Sequence, residues 1–114
     1  MIHARFEKID GGKAFVLNVD GHADYAEKGK DIICSAASII TYTLAQAVID
    51  AQNHGGLKKK PTIRMDEGNS AIVCKPGKGA LTEIMYAYRF AEIGFALLAQ
   101  SYPDYVRVKL FGEG

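Results

Sequence analysis

Short runs of alternating hydrophobic and polar residues predict two β-hairpins. Hydrophobic positions alternate with polar ones over residues 2–7, and a β-rich run follows at 14–19 after the turn sequence Asp-Gly-Gly. A second pair of β-rich runs, at 63–65 and 71–75, is separated by the turn-forming residues 66–69. Each pair has the length and turn chemistry of a hairpin, so the sequence predicts four strands in two pairs.

Two longer segments carry hydrophobic residues at steps of three and four, which is the period of an amphipathic helix. The first begins near Ile33 and ends at the His-Gly-Gly sequence 54–56. The second follows a Pro-Gly-Lys-Gly turn and is stopped by Pro103, before a last β-rich run at 106–110. The first stripe comprises Ile33, Ala37, Ile40, Leu44, Val48 and Ala51, and the second comprises Leu81, Ile84, Met85, Tyr88, Ala91, Phe95 and Leu98.

Two helices with one apolar stripe each need a sheet to cover. We therefore expect an α+β fold, a two-layer sandwich of an about five-stranded sheet and two helices, in the order β-β-α-β-β-α-β. The chain has 114 residues, 48% of them hydrophobic, which suffices for one compact domain over residues 1–114. Since two helices leave some apolar surface uncovered, Tyr86, Tyr88 and Phe90 either fill the core or serve a homodimer contact, and the core is favoured.

The charge balance and the cysteine count narrow the classes of function. Fourteen Lys and Arg against thirteen Asp and Glu give a net charge of +1, so global charge does not indicate direct binding to nucleic acid or to a membrane surface. Two cysteines forty positions apart, with no signal-peptide pattern at the start, indicate free thiols in a reducing compartment, the cytoplasm. Polar residues interrupt the apolar run 32–49, so we expect no membrane anchor.

The segment 21–38 reads G-H-A-D-Y-A-E-K-G-K-D-I-I-C-S-A-A-S and carries the candidate chemistry. Gly21 and Gly29 bracket a polar loop whose only aromatic residue is Tyr25, which is typical of a lid and also of an ordinary solvated connector. If Asp31 caps the following helix, Cys34 occupies its third position. Exposed backbone N–H groups and the positive end of the helix dipole favour a thiolate there.

A nucleophilic thiolate needs a proton acceptor nearby, and imidazole is the best-matched side chain near neutral pH. His22 is the natural candidate, because the loop between it and Cys34 can fold back toward the helix start. Ser38, one turn after the cysteine, either contacts its carbonyl, holds the imidazole, or bonds back into its own helix. Asp31 is interpreted first as the helix cap and second as an orienter of His22. The N–H groups at the helix start are candidate oxyanion donors, although a capping carboxylate already occupies one of them.

The pattern G-H-A, five variable residues, then G-x-D-I-[VI]-C-[AS]-A-x-S resembles the signature of the ribosomal-processing cysteine protease family, Prp. The match is dense over eighteen residues. In the family motif the histidine and cysteine are the catalytic pair, and they correspond to His22 and Cys34; Asp31 and Ser38 correspond to supporting residues. Ile33 stands where valine is usual and Ser35 where alanine is usual, and both changes are small.

The resemblance implies a cytoplasmic cysteine endopeptidase that acts in ribosome assembly. Members remove an N-terminal extension from bacterial large-subunit ribosomal protein twenty-seven, cutting after an aromatic residue. The implied partner is this ribosomal protein precursor, and the resemblance also implies a homodimer with a mobile loop before the first helix. We expect no cofactor. A metal site is not indicated, because the chain has no closely spaced pair among His3, His22, His54, Cys34 and Cys74.

A different class of function remains open. A non-enzymatic ribosome-associated binding module would use Lys58–Lys60 and the polar loop as its contact surface, although a solvated linker explains the three lysines more simply. A thiol redox sensor would require Cys34 and Cys74 to approach each other. Alkylation and precursor processing distinguish these functions from a protease.

Overall fold

A five-stranded mixed sheet forms one layer of the molecule. The structure, a computed structural model, describes residues 1–27 and 30–113. The sheet has the order β3-β4-β2-β1-β5, in which β1 and β5 are parallel and the other neighbours are antiparallel. The strands are β1 (Ile2–Ile9), β2 (Ala14–Asp20), β3 (Thr62–Asp66), β4 (Asn69–Cys74) and β5 (Val106–Lys109).

Two long helices form the second layer. Helix α1 spans Ile32–Asn53, and α2 spans Leu81–Ser101 after a single 3₁₀ turn at Lys78–Ala80. The element order along the chain is the predicted β-β-α-β-β-α-β, and the α+β class is confirmed. The antiparallel pairing of β2 with β4 joins the two predicted hairpins into one sheet.

One face of the sheet packs against both helices. Along β1, Ile2, Ala4 and Phe6 are buried whereas His3 and Arg5 are exposed, as expected for a strand covered on one side. The buried cluster continues through β2, β4 and β5 into the predicted stripes of the helices. Its largest buried side chains include Phe6, Phe15, Phe95 and Tyr88.

Of the three aromatic residues for which the core was favoured, the structure buries only Tyr88, so the core prediction is wrong for Tyr86 and Phe90. Tyr88 is fully buried, and its hydroxyl donates to the carbonyls of Phe15 and Ile72 at 3.2 and 2.9 Å. Tyr86 and Phe90 are 58% and 67% exposed. The helical stripe was predicted too wide at Leu81 and Met85, which are 41% and 45% exposed, because these positions of α2 face solvent rather than the buried cluster.

Helix α1 is long and apolar enough to meet a length-and-composition criterion for crossing a membrane. It has 22 residues, and its most apolar window has a mean hydropathy of 1.8. A helix that forms part of a protein core meets the same criterion. In this fold α1 buries one face, from Ile33 to Ala51, in the cluster shared with the sheet and α2, and 33% of its most apolar window is buried.

Candidate active site

The carboxylate of Asp31 organises the start of α1. One oxygen, Oδ1, accepts the N–H groups of Ile33 and Cys34 at 3.0 and 2.9 Å. The other, Oδ2, accepts the N–H groups of Tyr25 and Ala26 at 3.0 and 3.4 Å. Asp31 is therefore the predicted helix cap, and it also ties the preceding loop to the helix.

The surroundings of Asp31 favour its charged form. Burial alone raises the pKa of this carboxyl, but the N–H donors from Cys34, Tyr25, Ala26 and Ile33 outweigh burial and hold the pKa below its ordinary value of 3.8. Among residues 1–27 and 30–113, the hydrogen bonds that the side chain accepts all come from backbone amides. The carboxylate thus holds the backbone of the loop and of the helix start together. Its second predicted role, the orientation of His22, stays a prediction.

Cys34 lies at the third position of α1, as the cap predicts, and is a half-buried free thiol. Its sulfur accepts the backbone N–H of Ala23 at 3.5 Å. An N–H donor directed at sulfur stabilises a thiolate more than a neutral thiol, because the bond to a charged acceptor is the stronger one. This bond also places Ala23, the residue that follows His22, directly beside the Cys34 sulfur.

His22 and Cys34 line the same cavity, which has a volume of about 790 Å³. The chain reaches His22 through Gly21, which has a φ of +92° and whose ideal Cβ would lie 2.1 Å from the carbonyl oxygen of Met1. Only glycine fits this bend between β2 and the loop. His22 follows this turn, and its exposed imidazole is part of the cavity lining.

The other residues of the predicted site take different positions. Ser38 is exposed and lines the cavity one turn after Cys34; its hydroxyl has no recorded hydrogen bond within residues 1–27 and 30–113. Tyr25 makes edge-to-face contacts with Tyr102 and Tyr105, at centroid distances of 5.9 and 5.2 Å. Gly29, predicted as the far end of the loop, lies outside the described residues.

The start of α1 offers fewer oxyanion donors than the sequence indicates. Asp31 engages two N–H groups rather than one, those of Ile33 and Cys34. The next, from Ser35, donates to the carbonyl of Asp31 at 3.1 Å. The cap therefore occupies the amides of the second and third residues of α1.

Comparison with known proteins identifies the family. The family model described as cysteine protease Prp matches residues 1–107. The chain belongs to the cysteine protease Prp family.

The individual Prp proteins that match this chain share a minority of its residues. The ribosomal processing cysteine protease Prp of Staphylococcus aureus is 36% identical over 58 residues, so the chain spans about half the length of the curated relatives it matches: 51% of this chain and 50% of the relative. Crystal structures of the S. aureus Prp with a covalently linked product peptide and with a substrate peptide superpose with TM-scores of 0.72 and 0.67. They are 23% and 22% identical and cover 97% of this chain and 99% of theirs, which supports the Prp fold.

Sequence reasoning missed one wall of the cavity in this Prp chain. The end of β3 and the start of β4 face the helix start, and together contribute Met65, Asp66, Glu67, Gly68, Asn69 and Ser70 to the lining. Nothing in the local sequence connects these residues to segment 21–38, because the connection depends on β4 pairing with β2. The pair Glu67-Gly68 indicates a turn, but the local sequence does not indicate that this turn lies beside the cavity.

The remaining candidates lie away from the cavity or form no site. Cys74 is 1% exposed in β4, as expected for a structural thiol, and burial raises its pKa from 9.0 to about 11. Lys58–Lys60 are exposed and are not among the residues that line the cavity. In the part of the chain that the structure describes, no group of three or more His, Cys, Asp or Glu residues is arranged to hold a metal ion.

Proposed function

We propose that this Prp chain is a cysteine endopeptidase in which Cys34 is the nucleophile and His22 the general base. The supporting observation is that both side chains line one cavity while the amide beside His22 bonds to the cysteine sulfur. A thiol at a helix start, with an imidazole on the adjoining loop, has the groups that acyl transfer requires.

In the proposed reaction, His22 accepts the proton of the Cys34 thiol. The sulfur then attacks the carbonyl carbon of the substrate, and the carbonyl electron pair moves to oxygen. When this intermediate collapses, the C–N bond breaks and the imidazolium gives its proton to the departing amine. Water, deprotonated by His22, next attacks the thioester, and breakage of the C–S bond releases the acid and regenerates the cysteine.

The proposed substrate is the N-terminal extension of bacterial large-subunit ribosomal protein twenty-seven, cut after an aromatic residue. The family membership and the eighteen-residue signature support this assignment, and the curated relative is named for ribosomal processing. The charge of the cavity is compatible with a basic substrate: its lining contains Asp24, Asp66 and Glu67, and no Lys or Arg from the described residues. Ribosomal proteins contact RNA and are commonly basic.

We also propose that the protein acts in the cytoplasm as a homodimer. Free thiols persist in a reducing compartment, and both cysteines are free. The outward faces of α1 and α2 form an apolar groove of about 430 Å³, lined by residues that include Ile39, Tyr86 and Phe90. A second copy with the same groove would cover it around a twofold axis.

The test of the proposed reaction is incubation of purified protein with the ribosomal precursor, followed by mass spectrometry. Wild-type protein is expected to release the N-terminal extension. Cys34→Ala and His22→Ala are expected to leave the precursor at full length, because one lacks the nucleophile and the other its base. Losses of at least about a thousandfold in rate are the expected size of such effects.

Two matched variants control for the loss of any cysteine or histidine. Cys74→Ala removes the other thiol, and His54→Ala removes an exposed imidazole at the end of α1. Both are expected to process the precursor at a rate near that of wild type. Continued cleavage by Cys34→Ala would contradict the mechanism, and unaltered precursor with every variant and with wild type would favour the ribosome-associated binding module.

A further inference from the structure

The turn between β3 and β4 lies directly against the imidazole of His22. Gly68 has a φ of +74°, and an ideal Cβ built on it would lie 2.6 Å from Nε2 and 3.1 Å from Cε1 of His22. The 2.6 Å separation is shorter than any ordinary contact between non-bonded heavy atoms. The ring of His22 therefore rests on backbone that is accessible only because residue 68 has no side chain.

Backbone pairing fixes this turn relative to the segment that carries His22. The N–H of Gly21 donates to the carbonyl of Gly68 at 2.9 Å. The pairing continues into the sheet, where Asp20 and Asn69 are partners in the antiparallel ladder of β2 and β4. The support beneath the ring and the strand that delivers the ring are thus parts of one hydrogen-bonded unit.

We propose that Gly68 is a positioning residue for His22. The backbone of Gly68 holds the His22 imidazole at the cavity that contains Cys34. The inference rests on the proposed function, since it explains how the general base is placed. His22 is exposed and its side chain has several rotamers, so a surface that fits the ring limits the positions it samples. Restricting a reacting group before substrate arrives removes part of the entropy cost of the reaction.

The test compares Gly68→Ala with Gly12→Ala. Both glycines have positive φ, +74° and +84°, so alanine brings similar backbone strain at either position. At Gly12 an added Cβ meets nothing within 4 Å, whereas at Gly68 it meets His22. The obstructing atoms at Gly68 belong to the free end of an exposed side chain, so the ring moves aside and the fold is retained.

Gly68→Ala is expected to lower kcat for precursor processing by about tenfold to a hundredfold, with a smaller change in KM, because a displacement of about 1 Å in a catalytic group has effects of this size. Gly12→Ala is expected to keep the wild-type kcat. Urea unfolding of both variants checks that their free energies of unfolding fall by similar amounts. Equal kcat values for the two variants, or a kcat at or above wild type for Gly68→Ala, would overturn the proposal.

A spectroscopic measurement separates this proposal from the proposed function. The C2–H resonance of the His22 imidazole is assigned in NMR spectra by its loss in His22→Ala. It is expected to shift in Gly68→Ala and to keep its position in Gly12→Ala, and an unchanged resonance in Gly68→Ala would overturn the positioning role. If Cys34→Ala still processes precursor, the proposed function fails, but the resonance still decides whether Gly68 positions the ring.

Discussion

At the scale of single residues, the two cysteines have opposite environments. Cys34 is half-buried at a helix start, and its sulfur accepts a hydrogen bond from the backbone N–H of Ala23. Cys74, the last residue of β4, is buried in the core. Burial in apolar surroundings disfavours a thiolate and a backbone donor favours one. The contrast agrees with the proposed roles, in which Cys34 is the nucleophile and Cys74 is a structural thiol of the core.

The raised pKa of Cys74 predicts a loss of stability in alkali. Its thiol ionises near 9.0 when unfolded and at about 11 in the folded protein. The neutral form is the one that the fold favours, so this contribution is fully present below pH 9.0 and is lost as the pH rises toward about 11. Thermal unfolding followed by circular dichroism across that interval is expected to show a falling midpoint.

Two alanine variants isolate this contribution. Cys74→Ala removes the thiol that titrates in the core, while Cys34→Ala leaves Cys74 in place and loses only a half-buried thiol. For each variant, the decrease in the thermal unfolding midpoint is measured from that variant's own midpoint near neutral pH. This decrease at alkaline pH is expected to be smaller in Cys74→Ala than in Cys34→Ala. Parallel decreases in the two variants would show that Cys74 does not carry the effect.

Among secondary-structure elements, the start of α1 matters most for the proposed site, because it carries both the helix cap Asp31 and the thiol of Cys34. The Asp31 carboxylate holds two helix amides and two loop amides, so it joins the cap and the loop in one set of bonds. Asp31→Ala is expected to lower the free energy of unfolding by about 1–2 kcal/mol, the usual size for a lost cap. Asp31→Asn keeps one acceptor oxygen but turns an NH₂ group toward the loop amides, so it is also expected to destabilise. Asp50→Ala, at an exposed position of α1, is the control, with a change expected within about 0.5 kcal/mol.

The lowered pKa of Asp31 sets the pH dependence of this effect. The ionised carboxylate is the form that the fold favours, so its contribution is complete above pH 3.8 and is lost as the pH falls below that value. Urea unfolding at about pH 6 and about pH 3 is expected to give a smaller difference between wild type and Asp31→Asn at the lower pH. A difference that is independent of pH would show that the charge of Asp31 does not stabilise the fold.

Local patterns predicted the elements and one side of the site. The positions of Asp31 and Cys34 in α1 follow from capping chemistry within four residues, and the helix stripes follow from their period. The wall formed by Met65, Gly68 and Asn69 was not predictable in this way. It depends on which strands pair across the sheet, and pairing between distant hairpins leaves little trace in local sequence.

For the whole molecule, the uncovered face of the helix layer is the feature that monomeric packing does not explain. Exposed apolar side chains on the two helices include Ile39, Tyr86, Phe90, Ile93 and Leu97. A helix buried on one side normally carries polar residues on the other. Ile39 lines both the apolar groove and the cavity that contains Cys34, so a partner bound in the groove would adjoin the proposed active site.

Phe90→Glu tests whether a second copy covers this face. Phe90 is 67% exposed, so the change costs the folded monomer little, whereas a carboxylate buried in a twofold interface would face its own copy at an energy of several kcal/mol. Sedimentation velocity is expected to give a dimer for wild type and a monomer for Phe90→Glu. Ile9→Glu places the same charge on an apolar side chain that is 44% exposed at the end of β1, and it is expected to stay dimeric. A monomeric wild type, or a dimeric Phe90→Glu, would mean that the helix face is not where two copies meet.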